Sequence, residues 1–592
     1  MSFAHKGLAL LALLAVPVLS GCAGGRAAGP ATLPEGARTD AVWAERFPTD
    51  WEFAGTQPAV SAPRAMVVSV DSLASAAGLE ILRAGGNAVD AAIAVQFALT
   101  VTHPQAGNIG GGGFMIVRLV DDTRAALDFR ERAPGRAGHD MYLDEDGEVT
   151  EASWTGHLAA GVPGSVAGME AAHRRFGSLP WPRLIEPAIR YARGFRLGSR
   201  IARSLAGQRA RFSRFESTAA VFVPGGRPAP AGATFVQADL ARTMEAIASG
   251  GARAFYEGWI ADSLVAEMER GGGLISNRDL ASYEAVWRDP IEIEYRGREL
   301  ISMPPPSSGG VTLTELLHIV EGYELGAMGW HSADAIHFAV EAMRRAYADR
   351  NHYLGDPDFV EIPMSRLLSR AHADSLRSTI DPAHASRSEG VNRTVTESPE
   401  TTHFSVVDEA GNAVAVTTTL NGGFGSGVVV RGAGFLLNNE MDDFAAKPGS
   451  PNSYGLVQGE ANAIQPGKRM LSSMTPTIVV APDGRVELVT GTPGGATIIT
   501  SVFQIVTGHI DFGLPVQTSV NAPRFHHQNL PDVIMFEPAG LHPDIVAELV
   551  RRGHQVRVRG GYSGGVQSIY IAPDGTRFGA ADPRQGSTAL GY

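Results

Sequence analysis

The chain has 592 residues, 44% hydrophobic and 19% charged, a balance that excludes a disordered chain and allows a large buried core. Its 50 basic and 62 acidic residues leave a net charge of −12 with no long Lys/Arg run, which argues against a protein that binds nucleic acid by neutralising phosphates. Its 70 glycines follow no Gly-X-Y period, so collagen is excluded and many tight turns are expected.

The N-terminus reads as an export signal. His5 and Lys6 precede an apolar run, 7–19, and Leu19-Ser20-Gly21-Cys22 follows it. The run is too short to span a bilayer. Cys22 is the single cysteine, which excludes a disulfide framework and a thiolate metal site. Its setting is similar to the lipobox of bacterial lipoproteins, whose cysteine is acylated. The expectation is a signal over 1–21, lipidation at Cys22, a linker over 22–63, and an exported body in the periplasm or cell envelope.

Regular structure is expected from Ala65. Residues 72–84 place apolar side chains at helical spacing and end in Gly85-Gly86. Asn87 then caps a second helix, 88 to about 101, closed by Pro104. The tetraglycine 110–113 leads into an apolar strand, 114–120. With no Lys-Ser/Thr and no helix after it, a structural bend is expected there and not a phosphate cradle. From about 163 to 396 the chain reads mostly as amphipathic helix, as at 166–176, 237–248 and 333–353.

From Thr401 the pattern changes to hairpins. Runs 404–407 and 413–419, 477–480 and 486–490, and 567–571 and 577–580 each flank a Gly-containing turn. Helices first and hairpins second suggest one interlocked α+β assembly. His526-His527 would point to opposite faces of a strand with no third ligand at a recognisable spacing, so no metal is expected there. A Gly-x-Ser-x-Gly elbow in a strand-turn-helix setting is missing, which leaves a serine hydrolase unsupported.

The residues suited to chemistry gather after residue 400. In Glu400-Thr401-Thr402-His403, the Thr401 hydroxyl is a poor nucleophile without a base beside it. Cutting the preceding peptide bond would free its own α-amine, with a reference pKa of about 7.7–8.0. The turn near Gly411 folds 417–421 back beside Thr401. Gly494 and Gly495 lie between a strand and an apolar helix, where N–H groups can face a developing oxyanion. Arg130, with acidic groups from the cluster Glu440-Met441-Asp442-Asp443, offers a guanidinium and carboxylates, and one arginine with two carboxylates can hold a zwitterion.

Together these motifs resemble the γ-glutamyltransferase family of N-terminal-nucleophile hydrolases, from about Ala65 to Tyr592. The series includes Gly85-Gly86-Asn87-Ala88-Val89-Asp90-Ala91-Ala92, Asp128-Phe129-Arg130-Glu131 and Gly161-Val162-Pro163-Gly164. It continues through Thr401-Thr402-His403-Phe404-Ser405-Val406, Asn438 to Phe444, Leu471-Ser472-Ser473-Met474 and Pro493-Gly494-Gly495. The resemblance implies a four-layer αββα sandwich, made as a precursor and cut between Glu400 and Thr401. The products would be a large subunit, 64–400, and a small catalytic subunit, 401–592, held as a heterodimer. Thr401 would be the nucleophile, Thr419 its support, and Gly494 and Gly495 the oxyanion hole. Arg130, Ser472 and Ser473 would hold the donor's α-carboxylate; Asn421, Glu440 and Asp443 would hold its ammonium. Tyr454 would belong to a lid, 448–462.

No cofactor and no metal is implied. Glutathione or another γ-glutamyl compound would be the donor, with water, an amino acid or a peptide as acceptor. The family also holds cephalosporin acylases, whose glutaryl substrates lack the ammonium. The presence of both Glu440 and Asp443 favours an amino-acid donor. Another alternative is a non-catalytic lipoprotein of this fold, which an unprocessed Thr401 would mark. Glu440 stands where glutamine is frequent, and Gly422-Gly423 stand where bulkier residues are usual.

Overall fold

The computed structural model describes residues 43, 45–55, 58–389 and 401–592. The expected signal, Cys22 and Glu400 lie outside the described residues. Two seven-stranded sheets form the centre. One runs in the order Val60–Ala62, Arg577–Ala581, Gln567–Ile571, Val486–Thr490, Thr477–Val480, Arg298–Ser302, Ile291–Tyr295. The other runs Thr588–Gly591, Met66–Ser69, Thr401–Val407, Ala413–Thr419, Gly112–Arg118, Arg124–Asp128, Val286–Arg288.

Side-chain alternation along Thr401–Val407 shows how the layers form. Phe404 and Val406 join the helix-side core, whereas Val407 joins the core between the sheets. Ser405, on the Val407 face, donates its hydroxyl to the Gln567 carbonyl of the opposite sheet at 2.9 Å. Between the sheets pack Met66, Val68, Phe114, Ile116, Ile478, Val489 and Ile569. Helices Ser72–Arg83 and Ala88–Thr102 cover the outer face of the second sheet. Helices Gly309–Glu321, Ala333–Tyr353 and Thr497–Ile510 cover the first. The result is the expected four-layer αββα sandwich.

Local chemistry sets several boundaries. Asn87 caps the second helix in a reciprocal box with Asp90, a contribution of about 1 kcal/mol. Every residue of that helix is buried. The strand expected at 114–120 runs Gly112–Arg118 instead, because Gly112 and Gly113 already pair with Thr419 and Thr418. A Cβ on Gly113 would sit 2.3 Å from the Thr417 carbonyl oxygen, so only glycine allows this approach.

Two expectations are corrected. The stretch read as mostly helical contains strands Val286–Arg288, Ile291–Tyr295 and Arg298–Ser302. In the second of these, Ile291, Ile293 and Tyr295 are buried and Glu292 and Glu294 exposed, a period of two and not of 3.6. The lead-in read as a linker is docked where it is described: Phe47, Trp51 and Phe53 pack with Ala522, Trp330 and Tyr562. Burial of three aromatic rings offsets much of the freedom that the docked segment loses. Val60–Ala62 then pairs with Arg577–Ala581.

Both sheets combine strands from either side of residue 400. Thr401–Val407 pairs with Met66–Ser69, and Ala413–Thr419 with Gly112–Arg118. Thr477–Val480 pairs with Arg298–Ser302 in the other sheet.

Candidate active site

Thr401 opens a central strand, and its ladder partner is Thr419. Their hydroxyl oxygens lie 3.3 Å apart. The Thr419 oxygen accepts the Asn421 N–H at 2.8 Å, leaving its own proton free to point toward Thr401. Asn421 has φ of 70°, a left-handed conformation that Asn tolerates better than most residues. Its side-chain N–H donates to the Asn439 carbonyl at 3.0 Å, and its Oδ1 accepts the Tyr454 hydroxyl at 2.5 Å. Both ends of the Asn421 amide are therefore engaged, one of them by Tyr454.

The Tyr454 ring also rests on Gly495, where an added Cβ would come within 2.5 Å of it. Gly494 and Gly495 have φ of 133° and 54°. Among the described residues, neither amide N–H donates to a protein acceptor. Adjacent N–H groups without acceptors at a helix entrance suit a transient oxyanion. His403, two residues beyond Thr401 on the same strand, has its ring nitrogens 2.8 Å from Thr417 Oγ1 and 3.1 Å from Ser405 Oγ. Burial pushes its pKa down to about 3, so at neutral pH it carries no charge.

Arg130 follows the strand Arg124–Asp128 and is fully buried. Its guanidinium donates to Glu440 and to Asp443, and its Nε to the Met470 carbonyl at 3.2 Å. The Glu131 carboxylate lies 3.6 Å from the same guanidinium. Three carboxyls thus share one arginine. Burial pushes Glu440 well above the usual carboxylate range; Arg130 opposes this, while Glu131 and Asp443 reinforce it. Glu131 is raised by burial as well, against the pull of Arg130. Glu440 Oε2 is buried without a hydrogen-bond donor. A buried acceptor in that state is costly, and an incoming cation would relieve it.

Ser472 and Ser473 lie opposite. Ser472 Oγ accepts the Met474 N–H at 3.1 Å, and Ser473 Oγ accepts Arg350 Nη2–H at 3.0 Å. Arg350 also donates to Ser308 Oγ and to Asn351 Oδ1, both at 2.9 Å. Among the described residues it has no carboxylate in hydrogen-bond contact, and burial pulls its pKa down to about 10. The sequence reading did not single it out. The signal was present, since Arg350 continues the buried helical stripe of Ile336, Val340, Met343 and Tyr347.

One cavity, with about 350 Å³ of atom-free space, brings these groups together. Thr401, Thr419, Asn421, Arg130, Glu440, Asp443, Tyr454, Ser472, Ser473 and Gly495 all line it, as does Arg350. Gly494 precedes Gly495 and is outside the cavity wall. His526 and His527 stand elsewhere. His526 is engaged with Thr500 and Gln528, both at 2.8 Å, and His527 with Asp532 at 3.2 Å.

Residues 74–592 match a family model described as Gamma-glutamyltranspeptidase. The chain is 49% identical over 531 residues to the glutathione hydrolase proenzyme of Escherichia coli strain K12, covering 89% of this chain and 91% of that one. Cephalosporin acylase from Bacillus halodurans has a similar structure, with a TM-score of 0.82 and 29% identity over 92% of this chain and 99% of that one. Helicobacter pylori gamma-glutamyltranspeptidase matches at 45% identity and a TM-score of 0.53, over 53% of this chain and 91% of that chain. With a family model spanning nearly all of the described body, the chain belongs to the gamma-glutamyltranspeptidase family.

Proposed function

We infer that the protein is a proenzyme that cuts itself between Glu400 and Thr401, then hydrolyses or transfers the γ-glutamyl group of glutathione and related compounds. The observation that carries this reading is the cavity shared by Thr401 and the Arg130–Glu440–Asp443 cluster. In maturation, Thr401 Oγ attacks the Glu400 carbonyl and the peptide nitrogen leaves, giving an ester. The departing nitrogen, protonated in the exchange, is the free Thr401 amine, and water then hydrolyses the ester to the Glu400 carboxylate and the Thr401 hydroxyl. That amine is the base for the next cycle, a task for which the neutral, buried His403 is unsuited.

The donor's α-carboxylate takes the Arg130 fork, with Ser472 and Ser473, while its ammonium goes to Glu440 and Asp443. The exchange replaces one set of ion pairs with another, so no charge is left alone. Asn421 borders the ammonium and couples it to Tyr454. The amine takes the Thr401 hydroxyl proton as Oγ attacks the γ-carbonyl, and the oxyanion forms toward the Gly494 and Gly495 N–H groups. Losing one such donor typically costs about 3 to 4 kcal/mol in the barrier. The leaving amine takes the proton, and a γ-glutamyl ester remains on Thr401. Water then yields glutamate, or an amino-acid or peptide amine yields a new γ-glutamyl compound.

A glutaryl acylase would have no use for an acidic pair facing the donor's α-position, so the cluster weighs against that reading. The decisive test is intact mass. Wild type should give two polypeptides, the smaller beginning Thr401-Thr402-His403, and Thr401→Ala should stay whole. If Thr401→Ala still splits at that bond, an external protease makes the cut.

Among the described residues no helix is long and apolar enough to cross a membrane. We further propose export under a signal over 1–21, with acylated Cys22 as the tether and the large subunit covering 64–400. Cys22→Ala should leave the membrane fraction; a variant that stays there refutes the tether.

A further inference from the structure

Helices Gly309–Glu321, Ala333–Tyr353 and Arg370–Arg377 bring Glu315, Asp349 and His372 to one point. One ligand atom from each lies within 4.8 Å of the other two. His372 Nε2 and Asp349 Oδ2 are 2.6 Å apart. These residues are far apart in sequence, so no spacing motif announces them. They are also separate from the cavity around Thr401.

Glu315 is the unusual member. It is 1% exposed, and among the described residues it makes no hydrogen bond and no ion pair. Burial pushes its carboxyl well above the usual range; Asp349 adds to this and Arg366 only partly opposes it. Buried carboxylates are ordinarily paired or bound to a metal. A proton shared with Asp349 would be one remedy, but among the described residues no hydrogen bond joins the two carboxyls, and Asp349 is already engaged with His372. The ligand atoms of Glu315, Asp349 and His372 lie within 4.8 Å of one another, a spacing that one cation can bridge. Asp349 and His372 are partly exposed, so the site opens to solvent.

We propose that Glu315, Asp349 and His372 form a binding site for one divalent transition-metal cation, with zinc as its best match. One imidazole and two carboxylates are a nitrogen–oxygen set that zinc accepts at about 2.0 to 2.2 Å, with water in the fourth position. Mutual spacings of about 3 to 3.5 Å would follow from those bond lengths. His372 Nε2 and Asp349 Oδ2, now in direct hydrogen-bond contact, would open slightly to that spacing as the cation replaces the proton between them. The cation would pin three helices of the outer layer together and neutralise Glu315.

The test uses the processed, full-length enzyme, stripped with a chelator and titrated with zinc or cobalt(II). Wild type should retain one zinc per Thr401 after gel filtration, and cobalt should give a visible absorption band. Glu315→Gln keeps the shape of the side chain, and His372→Ala alters the rim. Each should weaken zinc binding by at least about tenfold, and zinc should raise Tm in wild type alone. Both variants should still turn over a γ-glutamyl anilide, which shows that they fold. The proposal is overturned if wild type retains no zinc, if both variants bind it as wild type does, or if calcium or magnesium gives the same rise in Tm.

Discussion

Replacing Asp443 with asparagine separates recognition of the donor's ammonium from every other task of the cavity. The substitution keeps the shape of the side chain and removes one negative charge from the Arg130 fork. Removing one partner of a buried, hydrogen-bonded charge pair costs about 2 to 5 kcal/mol. Asp443 belongs at the low end, because its side chain is 16% exposed and solvent screens what remains. About 2 to 3 kcal/mol corresponds to a roughly 30- to 150-fold fall in kcat/KM for γ-glutamyl donors. A glutaryl donor has the same terminal carboxylate and no ammonium, so its kcat/KM should change by less than about threefold. Parallel assays with γ-glutamyl- and glutaryl-anilides on wild type and Asp443→Asn decide the matter. Intact mass should show that the variant still processes at Thr401. If both donors lose activity equally, Asp443 holds Arg130 in place and does not read the ammonium.

With Glu440 as the proposed partner of the donor's ammonium, its raised carboxyl predicts that donor choice depends on pH. The ratio of γ-glutamyl to glutaryl kcat/KM should fall as pH drops, beginning above the ordinary carboxylate range, because protonation removes the ammonium's partner. The ratio cancels ionisation of the Thr401 amine, and a flat profile would contradict the assignment. Arg350→Met removes the charged donor from Ser473 and Ser308 and should cost both donors about tenfold or more in kcat/KM, since both present a carboxylate to the serines. A loss confined to one donor would be inconsistent with that role. Glu341 is held down at about 2: burial pushes it up, but Arg344, Ser386 and Arg345 outweigh burial. Against an unfolded value of 4.5, that is on the order of 3 kcal/mol of stability, present above about pH 4.5 and lost as pH falls toward 2. Glu341→Gln should lower Tm at pH 7 and differ less near pH 3; an unchanged Tm at pH 7 would disprove this contribution.

Much of the small-subunit half was legible because hairpins announce themselves locally. Ala413–Thr419, Thr477–Val480, Val486–Thr490 and Gln567–Ile571 fall where alternation and Gly-containing turns put them. The neighbourhood of Thr401 and Thr419 followed from counting back from Gly411. Ile291–Tyr295 was missed although its alternation is plain, because helices on both sides drew it into a helical reading. Arg350 was missed for a different reason. Its place on the stripe of Val340, Met343 and Tyr347 was legible, but in a helix that also holds Arg344 and Arg345 its charge reads as part of a solvated face. That Arg130, Glu440 and Asp443 would share one site was expected, but their direct pairing and the crowding by Glu131 needed three-dimensional contact to be seen.

The mixed ancestry of the two sheets bears on when the chain can be cut. If the bond before Thr401 is severed, neither polypeptide owns a complete sheet. Met66–Ser69 and Gly112–Arg118 stay on one side of the break, and the strands between them stay on the other. Each piece alone would expose the open edges of central strands, which invite pairing with strangers. Thr401 meets Thr419 within one hairpin, but Gly495 and Arg130 join their cavity only after the long-range ladders have closed, so the complete site is assembled by the finished fold. Maturation therefore marks completed folding: a chain that has been cut is one that had already found its shape. Once cut, its halves stay joined by main-chain hydrogen bonds along several strands, so dilution should not part them and subunits should not be traded between molecules.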